Sequence, residues 1–524
     1  MKATTVLSGF MALLPFARAF SNPVLYEDLA DVDLRRYNDT YYYSASTMHF
    51  SPGAPILRSY DLANWEYIGH SVPQLADFGS KYTLSNGERA YIRGVWASWL
   101  IYVPANGKWY WGGCTDFWNT HVYASSGSDP AGPWSRIFTV SAKCQYDSGA
   151  MLDDDGYVYT SYKDNGQFWI AQWSQDLTSI IKTQVVYTPL SNMTSIEGTR
   201  PYKINGTYYI FTSFPDAGAE YVLKADGDIW STYTPKVFLQ NAVPASPLTG
   251  SIGQGALVDT PQGNWYWMGF SWSYPNGRIP VLIPVNWGSD GYPIPSLVDG
   301  KINATYPNVA TPRPLAPTTG IDKFTGSTLG VHWEWNHDPD TTKFSVGSGL
   351  KLSTATITND LYAARNTLTR RQLGPISTAT IKLAYSSMAD GDRVGLAMFR
   401  ESSAYIGIWK SGATYSLNYV NNLLLADTSD NGWQTTSNGT TVQSQTISGG
   451  TVWLRITSDS TPGGNNAKFY YSLNGRSFTL FGPTFTATTS WQFFEGCRYA
   501  IFNFATSALG GSVTVNSFDI KAGA

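Results

Sequence analysis

Three acidic residues occupy equivalent positions of a pattern that repeats through the first half of the chain. Asp147 and Glu197 each lie nine residues before the glycine of a tight turn, and Asp31 lies eight residues before a similar turn. Carboxyl groups that converge resist simultaneous ionisation, so at least one of them stays protonated near neutral pH. A protonated acid beside a carboxylate base can cleave a glycosidic bond, because the acid protonates the leaving oxygen while the base activates water. If the three side chains meet, the pattern predicts a glycoside hydrolase.

The turns belong to five similar segments: "NDTYYYSAS", "NGKWYWGG", "DGYVYTSY", "INGTYYIFTS" and "QGNWYWMGF". Each joins a polar or glycine turn to a strand rich in aromatic and β-branched residues, which is a strong hairpin signal. The segments recur about every 50 residues without an amphipathic helix between them, which predicts an all-β fold with a five-bladed β-propeller. The alternative is a meandering β-sandwich in which the turns recur by coincidence.

A propeller would bring the acidic residues together. Equivalent positions of successive blades are related by rotation about the central axis, so the ends of the innermost strands converge on one pocket. Gln254 and Ser98 share the register of the acids. Asp33 competes with Asp31 for the first position, because alternate side chains of a strand share a face. Periodicity alone does not separate these two residues.

Composition limits the function classes. The formal net charge is −3 with a pI near 6.0, and no basic block occurs, so nucleic acid is not an expected partner. Aromatic residues make up 15% of the chain, and such flat side chains suit both packing and stacking on sugar rings. No serine nucleophile elbow, metalloprotease motif or Cys-rich metal pattern occurs, so neither an esterase nor a metal or other cofactor is predicted.

The first residues predict export. Residues 1–19 combine one Lys, a short apolar stretch and Ala17-Arg18-Ala19, which is typical of a secretory signal peptide cleaved after Ala19. No later segment is apolar over a membrane-spanning length, so no membrane partner is expected. Five N-x-T sequons agree with a secreted, extracellular glycoprotein. They begin at Asn38, Asn192, Asn205, Asn303 and Asn438.

The chain has three cysteines, too few for a disulfide scaffold. Cys114 and Cys144 either pair or remain reduced, and Cys497 is expected to be a buried thiol. The disulfide and its absence are equally compatible with the sequence.

Five segments carry a resemblance to a known family. In chain order they are "NPVLYEDLADVDLRRYNDTYYYSAS", "SPGAPILRSYDLANWEYIGH", "QYDSGAMLDDDGYVY", "SIEGTRPYKINGTYYIFTS" and "GQGALVDTPQGNWY". Over residues 22–300 the chain resembles glycoside hydrolase family 43, five-bladed inverting enzymes that include β-xylosidases, α-L-arabinofuranosidases and arabinanases. The resemblance implies Asp31 as general base, in preference to Asp33, Glu197 as general acid and Asp147 as the carboxylate that tunes the acid.

The resemblance also implies substrate-binding residues. Arg278, in "NGRIPVLIPVNW", falls on the family's pocket arginine, which would donate paired hydrogen bonds to sugar hydroxyls; the alternative is an ordinary ion pair. Phe50 and Trp96 fall on pocket aromatics, with blade packing as the alternative. Gln254 would bind substrate or a pocket water.

Three positions depart from the family pattern. Val32 and Ser148 replace prolines that usually follow the base and the tuning Asp, and Gly253 replaces a His that lies near an axial ion in many members. No metal is therefore predicted, and the departures favour a divergent subgroup.

The second half predicts a separate module. Residues 20–307 are assigned to the propeller, and "NVATPRPLAPTTG", residues 308–320, is a Pro-rich surface linker. Residues 321–524 contain short alternating strands and resemble the jelly-roll, concanavalin A-like β-sandwich of family 43 β-xylosidases. In those enzymes the module closes one side of the active site. We favour this rim role. The alternatives are polysaccharide binding by an exposed Trp such as Trp433 and a purely stabilising module, whereas Trp333 and Trp335 are expected in the core.

These patterns predict a monomeric secreted enzyme that removes a pentose from a plant cell-wall polysaccharide with inversion. We favour α-L-arabinofuranosidase activity on arabinoxylan side chains, because the chain departs from the xylosidase-like pattern around the base and at Gly253. A β-xylosidase acting on xylo-oligosaccharides is the first alternative. A carbohydrate-binding propeller without catalysis is the alternative from another class.

Overall fold

The computed structural model describes residues 19–193, 195–428 and 432–523. The predicted signal peptide lies outside these ranges except for Ala19. Among the described residues there is no α-helix, and hence none that could cross a membrane. Short 3-10 helices occur at Leu75–Phe78, Ser80–Thr83, Pro104–Asn106, Pro215–Ala217 and Leu361–Ala363.

The described part of the first half forms five four-stranded antiparallel sheets, which confirms the five-bladed propeller. Blade 1 contains Asp33–Tyr37, Thr40–Ser44, Gly53–Ser59 and Glu66–Val72. Blade 2 contains Ser98–Val103, Lys108–Thr115, Asn119–Ser125 and Trp134–Val140. Blade 3 contains Tyr146–Leu152, Val158–Asp164, Gln167–Trp173 and Ile180–Tyr187. Blade 4 contains Glu197–Ile204, Thr207–Phe214, Ala219–Ala225 and Tyr233–Gln240, and blade 5 contains Ile252–Asp259, Trp265–Ser273, Gly277–Trp287 and Pro293–Pro295.

The repeated turns join the first two strands of the blades. Gly156 and Gly206 have φ angles of 82° and 81°, in the left-handed region that a glycine occupies without strain. The aromatic residues after these turns pack between neighbouring blades, and Trp111 and Trp267 are fully buried there. The recurring sequence pattern is therefore the inter-blade core.

The last blade is tied to the start of the chain. The side-chain amide of Asn22 donates to the carbonyl of Leu282 at 3.0 Å, and its oxygen accepts from the Leu282 N–H at 2.9 Å. Arg36 of blade 1 donates to Asp259 of blade 5, with Nε 3.0 Å from Oδ1. Outside the blades, Ala19–Ser21 pairs with Thr305–Pro307. These contacts close the ring.

The second half folds into two large sheets, which confirms the β-sandwich. The nine-stranded sheet contains Gly320–Asp322, Phe344–Gly347, Gly349–Ser353, Ile376–Ala384, Thr451–Asp459, Asn466–Ser472, Thr479–Leu480, Phe485–Thr486 and Ser512–Ala522. The other sheet contains Glu334–Asn336, Leu368–Arg371, Asp392–Phe399, Ser402–Ser411, Thr414–Asp427, Trp433–Ile447 and Arg498–Ala505. Trp333 and Trp335 are buried in the sandwich core, as predicted, and Trp433 is half-buried with its ring 5.0 Å from that of Phe493.

The two domains share a sheet. The propeller segment Phe50–Ser51 pairs with Glu334–Asn336 and adds an eighth strand to the second sheet of the sandwich. Burial alone would raise the pKa of Glu334, but Arg371 and Arg498 hold it well below its usual range. His70 of blade 1 also contacts Glu334, with Nε2 3.3 Å from Oε1. Backbone pairing and a buried ion network therefore fix the sandwich against the propeller.

Two further features concern the cysteines, whose pairing the sequence left open, and the linker. Cys114 and Cys144 form a disulfide, and Cys497 is a buried free thiol. Between the domains, the backbone N–H of Arg313 donates to Asp61 Oδ2 at 2.7 Å, and the guanidinium carbon lies 3.8 Å from the ring centroid of Tyr60. The Pro-rich segment thus runs along the outside of blade 1.

Candidate active site

Three predicted acids line one cavity at the end of the propeller, here called the acidic pocket. It has a volume of about 400 Å³, and Asp31, Asp147 and Glu197 contribute to its wall. Three of the predicted binding residues also line it: Trp96, Gln254 and Arg278.

Local backbone distortions direct these side chains. Asp31 and Asp147 have φ angles of 56° and 48°, in the left-handed region that residues other than glycine adopt uncommonly and aspartate adopts more often than most. The innermost strands of three blades carry β-bulges near the pocket, and a bulge bends its strand and re-aims a side chain. The pairing shifts between Tyr146 and Gly149, between Glu197 and Arg200, and between Gly253 and Ala256.

The glycine after the predicted acid has a steric reason. Gly198 has a φ of 74°, and a Cβ atom at this position would lie 2.7 Å from the side-chain carbon of Gln254. Any other residue would push Gln254 away from the pocket. The Nε2 group of Gln254 is buried and has no hydrogen-bond partner among the described residues, so a bound molecule could accept its hydrogen.

Asp31 is held as an ion pair. Arg278 Nη1 donates to Asp31 Oδ1 at 2.8 Å, and Nη2 donates to Ser46 Oγ at 3.3 Å. The guanidinium lies among aromatic rings, 5.3 Å from the centroid of Phe270 and 5.7 Å from that of Phe494. Arg278 therefore places a positive charge directly against the side chain of the predicted base.

Glu197 has the opposite environment. Burial, with a smaller contribution from the negative charge of Asp31, raises the pKa of its carboxyl to about 7, although Lys163 opposes the shift. Tyr146 donates its hydroxyl hydrogen to Glu197 Oε2 at 3.3 Å and also lowers the pKa. Glu197 is therefore largely protonated below neutral pH, as a general acid must be.

Asp147 is coupled to both other acids. Burial raises its pKa well above the usual range, and the charges of Glu197 and Asp31 raise it further. Arg200 and Lys163 oppose this shift. A negative charge on either carboxyl group disfavours ionisation of the other, so Asp147 and Glu197 together tend to keep one proton between them.

Arg200 positions the backbone beneath two of the acids. It is fully buried, and its guanidinium donates to the carbonyls of Asp31 at 3.1 Å and Ser148 at 2.8 Å.

Asp33 does not line the pocket: it is fully buried and accepts hydrogen bonds from the Leu100 N–H at 2.6 Å and from Arg35. Of the two aspartates that periodicity left open, only Asp31 reaches the cavity.

Phe50 does not lie where the prediction placed it. It is 1% exposed, does not line the pocket, and packs beneath the guanidinium of Arg498 at 3.5 Å. It belongs to the strand that pairs with Glu334–Asn336, so it is buried between the domains. The prediction of substrate contact by Phe50 is corrected accordingly.

The sequence reasoning missed much of the pocket wall. Aromatic side chains make up much of the wall, and two of them, Trp491 and Phe494, come from the sandwich. Only the family resemblance, in which the second module closes one side of the site, pointed to this domain. The other pocket residues that were not predicted are Phe117, Tyr146, Ser195, Ser213, Pro215, Asp216, Ser251, Ile252, Gly253, Phe270 and Trp272.

Trp272 accounts for one departure from the family pattern. A Cβ atom at Gly253 would lie 2.9 Å from Trp272 Nε1 and 3.0 Å from the ring of Phe270. The glycine therefore makes room for these two rings in the wall. Within the described ranges, no group of three or more His, Cys, Asp or Glu side chains is arranged to hold a metal ion.

Comparison with known families identifies the two domains. Residues 20–293 match the model of glycosyl hydrolases family 43, and residues 321–521 match the β-xylosidase C-terminal concanavalin A-like domain. The chain belongs to glycoside hydrolase family 43. It is therefore an enzyme, and the acid and base environments in its pocket suit hydrolysis of a glycosidic bond.

Relatives of the chain match between about three quarters of it and nearly its whole length. A solved structure, described as an engineered family 43 enzyme with both endo-xylanase and exo-arabinofuranosidase activity, is 39% identical, has a TM-score of 0.91 and covers 96% of this chain and 99% of its own. A β-xylosidase of Formosa agariphila is 27% identical over 95% of this chain and 90% of its own. A non-reducing end α-L-arabinofuranosidase of Bacteroides ovatus is 26% identical over 73% of this chain and 74% of its own.

Proposed function

We propose that this family 43 enzyme releases L-arabinofuranose from the side chains of arabinoxylan by single displacement with inversion. Asp31 acts as the base that activates water, Glu197 protonates the leaving oxygen, and Asp147 tunes the acid. The observation that carries the proposal is the contrast within one pocket: Asp31 is paired with Arg278, whereas burial raises the pKa of Glu197 to about 7. Such a difference in environment separates a base from an acid.

The remaining pocket residues supply binding. Arg278 and Gln254 line the pocket, and Arg278 Nε and Gln254 Nε2 are donors without a hydrogen-bond partner among the described residues. Trp96, Phe494 and the other rings offer flat apolar faces to a sugar ring. The pocket volume of about 400 Å³ suits a single saccharide with part of its leaving group.

The choice of arabinose rests on two observations. The relative at 39% identity is described as having exo-arabinofuranosidase activity. In addition, Gly253 replaces the family His and admits Trp272 to the wall, so the sugar meets a different surface. β-Xylosidase activity is the second candidate, because the relative from Formosa agariphila carries that name.

Activity assays separate these candidates. Purified protein is incubated with nitrophenyl arabinofuranoside, nitrophenyl xyloside and wheat arabinoxylan, and released pentoses are quantified. We expect arabinose to dominate, and proton NMR of early product should show inverted anomeric configuration. Dominant xylose release would overturn the arabinofuranosidase proposal in favour of the second candidate.

Two variants test the residue roles. Glu197→Gln and Asp31→Asn should each lower kcat on arabinoxylan by about 10²–10⁴-fold, the usual contribution of a general acid or base. Binding of arabinoxylan oligosaccharides to Glu197→Gln should persist. Unchanged turnover in either variant would exclude that residue from catalysis. If the wild type binds arabinoxylan oligosaccharides but hydrolyses none of the substrates, the protein is a carbohydrate-binding propeller.

We also propose that the protein is secreted and acts on cell-wall polysaccharide as a monomer. The signal-like residues 1–19 and the disulfide between Cys114 and Cys144 support export, because disulfides persist in oxidising compartments. Expression in a eukaryotic secretory host should yield extracellular protein whose first residue is Phe20. Retention of all product inside the cells would contradict this proposal.

A further inference from the structure

The second sheet of the sandwich ends in a long strand with an unpaired side. This strand, Trp433–Ile447, here called the open edge, spans 15 residues. Among the described residues it pairs on one side only, with Thr414–Asp427. Its other side presents unpaired backbone N–H and C=O groups, and such an edge is a template to which a strand of another chain can add.

The composition of the open edge favours such pairing. Its sequence, "WQTTSNGTTVQSQTI", contains no proline and no charged residue. Thr and Val are β-branched residues that suit strands, and Val442 is 49% exposed. The side chains of the open edge therefore offer no charge that would repel an identical strand.

The outer strands of the five blades are protected in another way. Each contains a charged residue or a proline, both of which hinder pairing at an edge. These residues are Glu66, Arg136, Lys182, Pro235 with Lys236, and Pro293 with Pro295. The end strands of the nine-stranded sheet, Phe344–Gly347 and Thr479–Leu480, are short instead. Among the described outer strands, the open edge is thus the long one that lacks both devices.

A glycosylation sequon lies within the open edge. Asn438, Gly439 and Thr440 form an N-x-T triplet, and both Asn438 and Thr440 are exposed. Bulges interrupt the pairing with the neighbouring strand at Thr436 and at Val442, so Asn438 lies on the regular stretch between them. The asparagines of the other four sequons lie in turns or loops rather than in strands: Asn38, Asn192, Asn205 and Asn303.

We propose that Asn438 carries an N-linked glycan, and that this glycan prevents the open edge from pairing with a second copy of the chain. Paired strands lie about 4.8 Å apart, and a bulky, hydrated oligosaccharide on Asn438 occupies the space that an approaching strand needs. The glycan thus takes the role that charged residues and prolines have in the blades. The inference rests on the proposed secretion, because N-glycans are added to secreted proteins, and not on which sugar the enzyme releases.

The open edge lies outside the proposed catalytic machinery. None of its residues lines the acidic pocket. Loss of the glycan should therefore change the association of the protein, while kcat per monomer on arabinoxylan stays the same.

The test uses protein secreted by a eukaryotic host. Peptide mapping by mass spectrometry should find a glycan on Asn438 in most molecules. Asn438→Gln and Thr440→Ala each remove the sequon, whereas Thr440→Ser keeps it. In size-exclusion chromatography with light scattering, the molar mass of the first two variants should rise with concentration to about twice the monomer value or more. The wild type and Thr440→Ser should remain monomeric.

Two further variants separate edge pairing from other effects of a glycan. Asn438→Lys lacks the glycan but places a charge on the edge, as the blades do, and should remain monomeric. Asn303→Gln removes the sequon of an exposed loop and should also remain monomeric. Near-UV circular dichroism checks that each variant is folded, and the Thr440 pair decides the question if Asn438→Gln does not fold. Association of Asn438→Lys equal to that of Asn438→Gln would overturn the protection of the edge.

Two other results would overturn the inference while leaving the proposed function intact. One is an unmodified Asn438 in the secreted protein. The other is a monomeric state of both Asn438→Gln and Thr440→Ala at every concentration. Absence of export would overturn the proposed secretion and the glycan with it, whereas the pentose-release assays test the proposed hydrolase activity independently.

Discussion

Asp28 and Gly496 are joined across the domain boundary by a hydrogen bond of 2.7 Å from the Gly496 N–H to Asp28 Oδ2. The other carboxylate oxygen, Oδ1, accepts the backbone N–H of Arg278, also at 2.7 Å. Arg278 is the partner of Asp31, and Gly496 lies two residues after Phe494, which lines the acidic pocket. One buried carboxylate therefore fixes the sandwich loop relative to the arginine that pairs with the proposed base.

Asp28→Asn should weaken both stability and substrate binding. An asparagine presents an N–H group to one of the two backbone N–H donors, so a buried donor loses its acceptor, and the free energy of unfolding should fall by about 1–3 kcal/mol. The sandwich loop would then be less well placed, and KM should rise more than kcat falls. Denaturant unfolding and steady-state kinetics on arabinoxylan measure the two effects.

Asp129→Asn is the control, because Asp129 also accepts a backbone N–H, from Ala131 at 2.9 Å, but lies in an exposed turn. It should change neither KM nor stability appreciably. Loss of stability in Asp28→Asn with an unchanged KM would show that Asp28 supports the interface without positioning the pocket.

The repeated turns predicted the blades because each blade uses the same local chemistry, a glycine or polar turn followed by aromatic strands. The same register located Asp147 and Glu197, since rotation about one axis converts equivalent sequence positions into a shared pocket. Local periodicity was sufficient for these features because it reflects the symmetry of the fold, whereas the choice of Asp31 over Asp33 needed the family resemblance.

Contacts between domains lay beyond such reasoning. Trp491 and Phe494 belong to a loop more than two hundred residues after Arg278, the last propeller residue that lines the pocket, and no periodicity connects the loop to the pocket. Phe50 was placed in the pocket by resemblance, but its strand pairs with the sandwich and its ring is buried there. The face of a strand that packs against another domain depends on how the two domains associate, and the local sequence pattern of the strand does not contain that information.

The activity should decline as the pH rises through about 7. The pKa of Glu197 is raised to about 7 by burial, so the protonated acid is present below this pH and is lost above it. Lys163 lowers this pKa, and Lys163→Met should therefore raise it and move the alkaline limb of kcat/KM to higher pH. The profile is measured on arabinoxylan, whose leaving group needs protonation more than nitrophenol does.

Lys203→Met is the matched control, since Lys203 pairs with Asp153 away from the acidic pocket. Its alkaline limb should coincide with that of the wild type. An alkaline limb that moves to lower pH in Lys163→Met would contradict the assignment of Glu197 as the titrating acid.

The disulfide should stabilise the pocket wall. It joins residues 30 positions apart, and removal of such a cross-link by Cys114→Ala with Cys144→Ala should cost about 3–4 kcal/mol of unfolding free energy. Because Phe117 and Tyr146 lie close to the two cysteines, KM on arabinoxylan should rise as well. Urea unfolding with and without reductant measures the first effect.

Reductant should destabilise the wild type and leave the double variant unchanged, since Cys497 is a buried free thiol. If reductant has no effect on the wild type under conditions where thiol titration shows three free cysteines, the disulfide does not contribute to stability.

Trp491 tests whether the sandwich takes part in substrate binding. Its side chain is 52% exposed and lines the acidic pocket, with its ring centroid 5.6 Å from that of Phe494. Trp491→Ala removes one stacking surface, so KM on arabinoxylan should rise by about five- to tenfold, as expected for the loss of an aromatic contact worth about 1 kcal/mol or slightly more.

Trp118→Ala is the matched control, because Trp118 is 64% exposed and does not line the acidic pocket. Since both side chains are largely in solvent, neither variant should lower the unfolding free energy by more than about 1 kcal/mol. Equal KM values for the two variants would mean that the sandwich loop encloses the pocket without contacting the substrate.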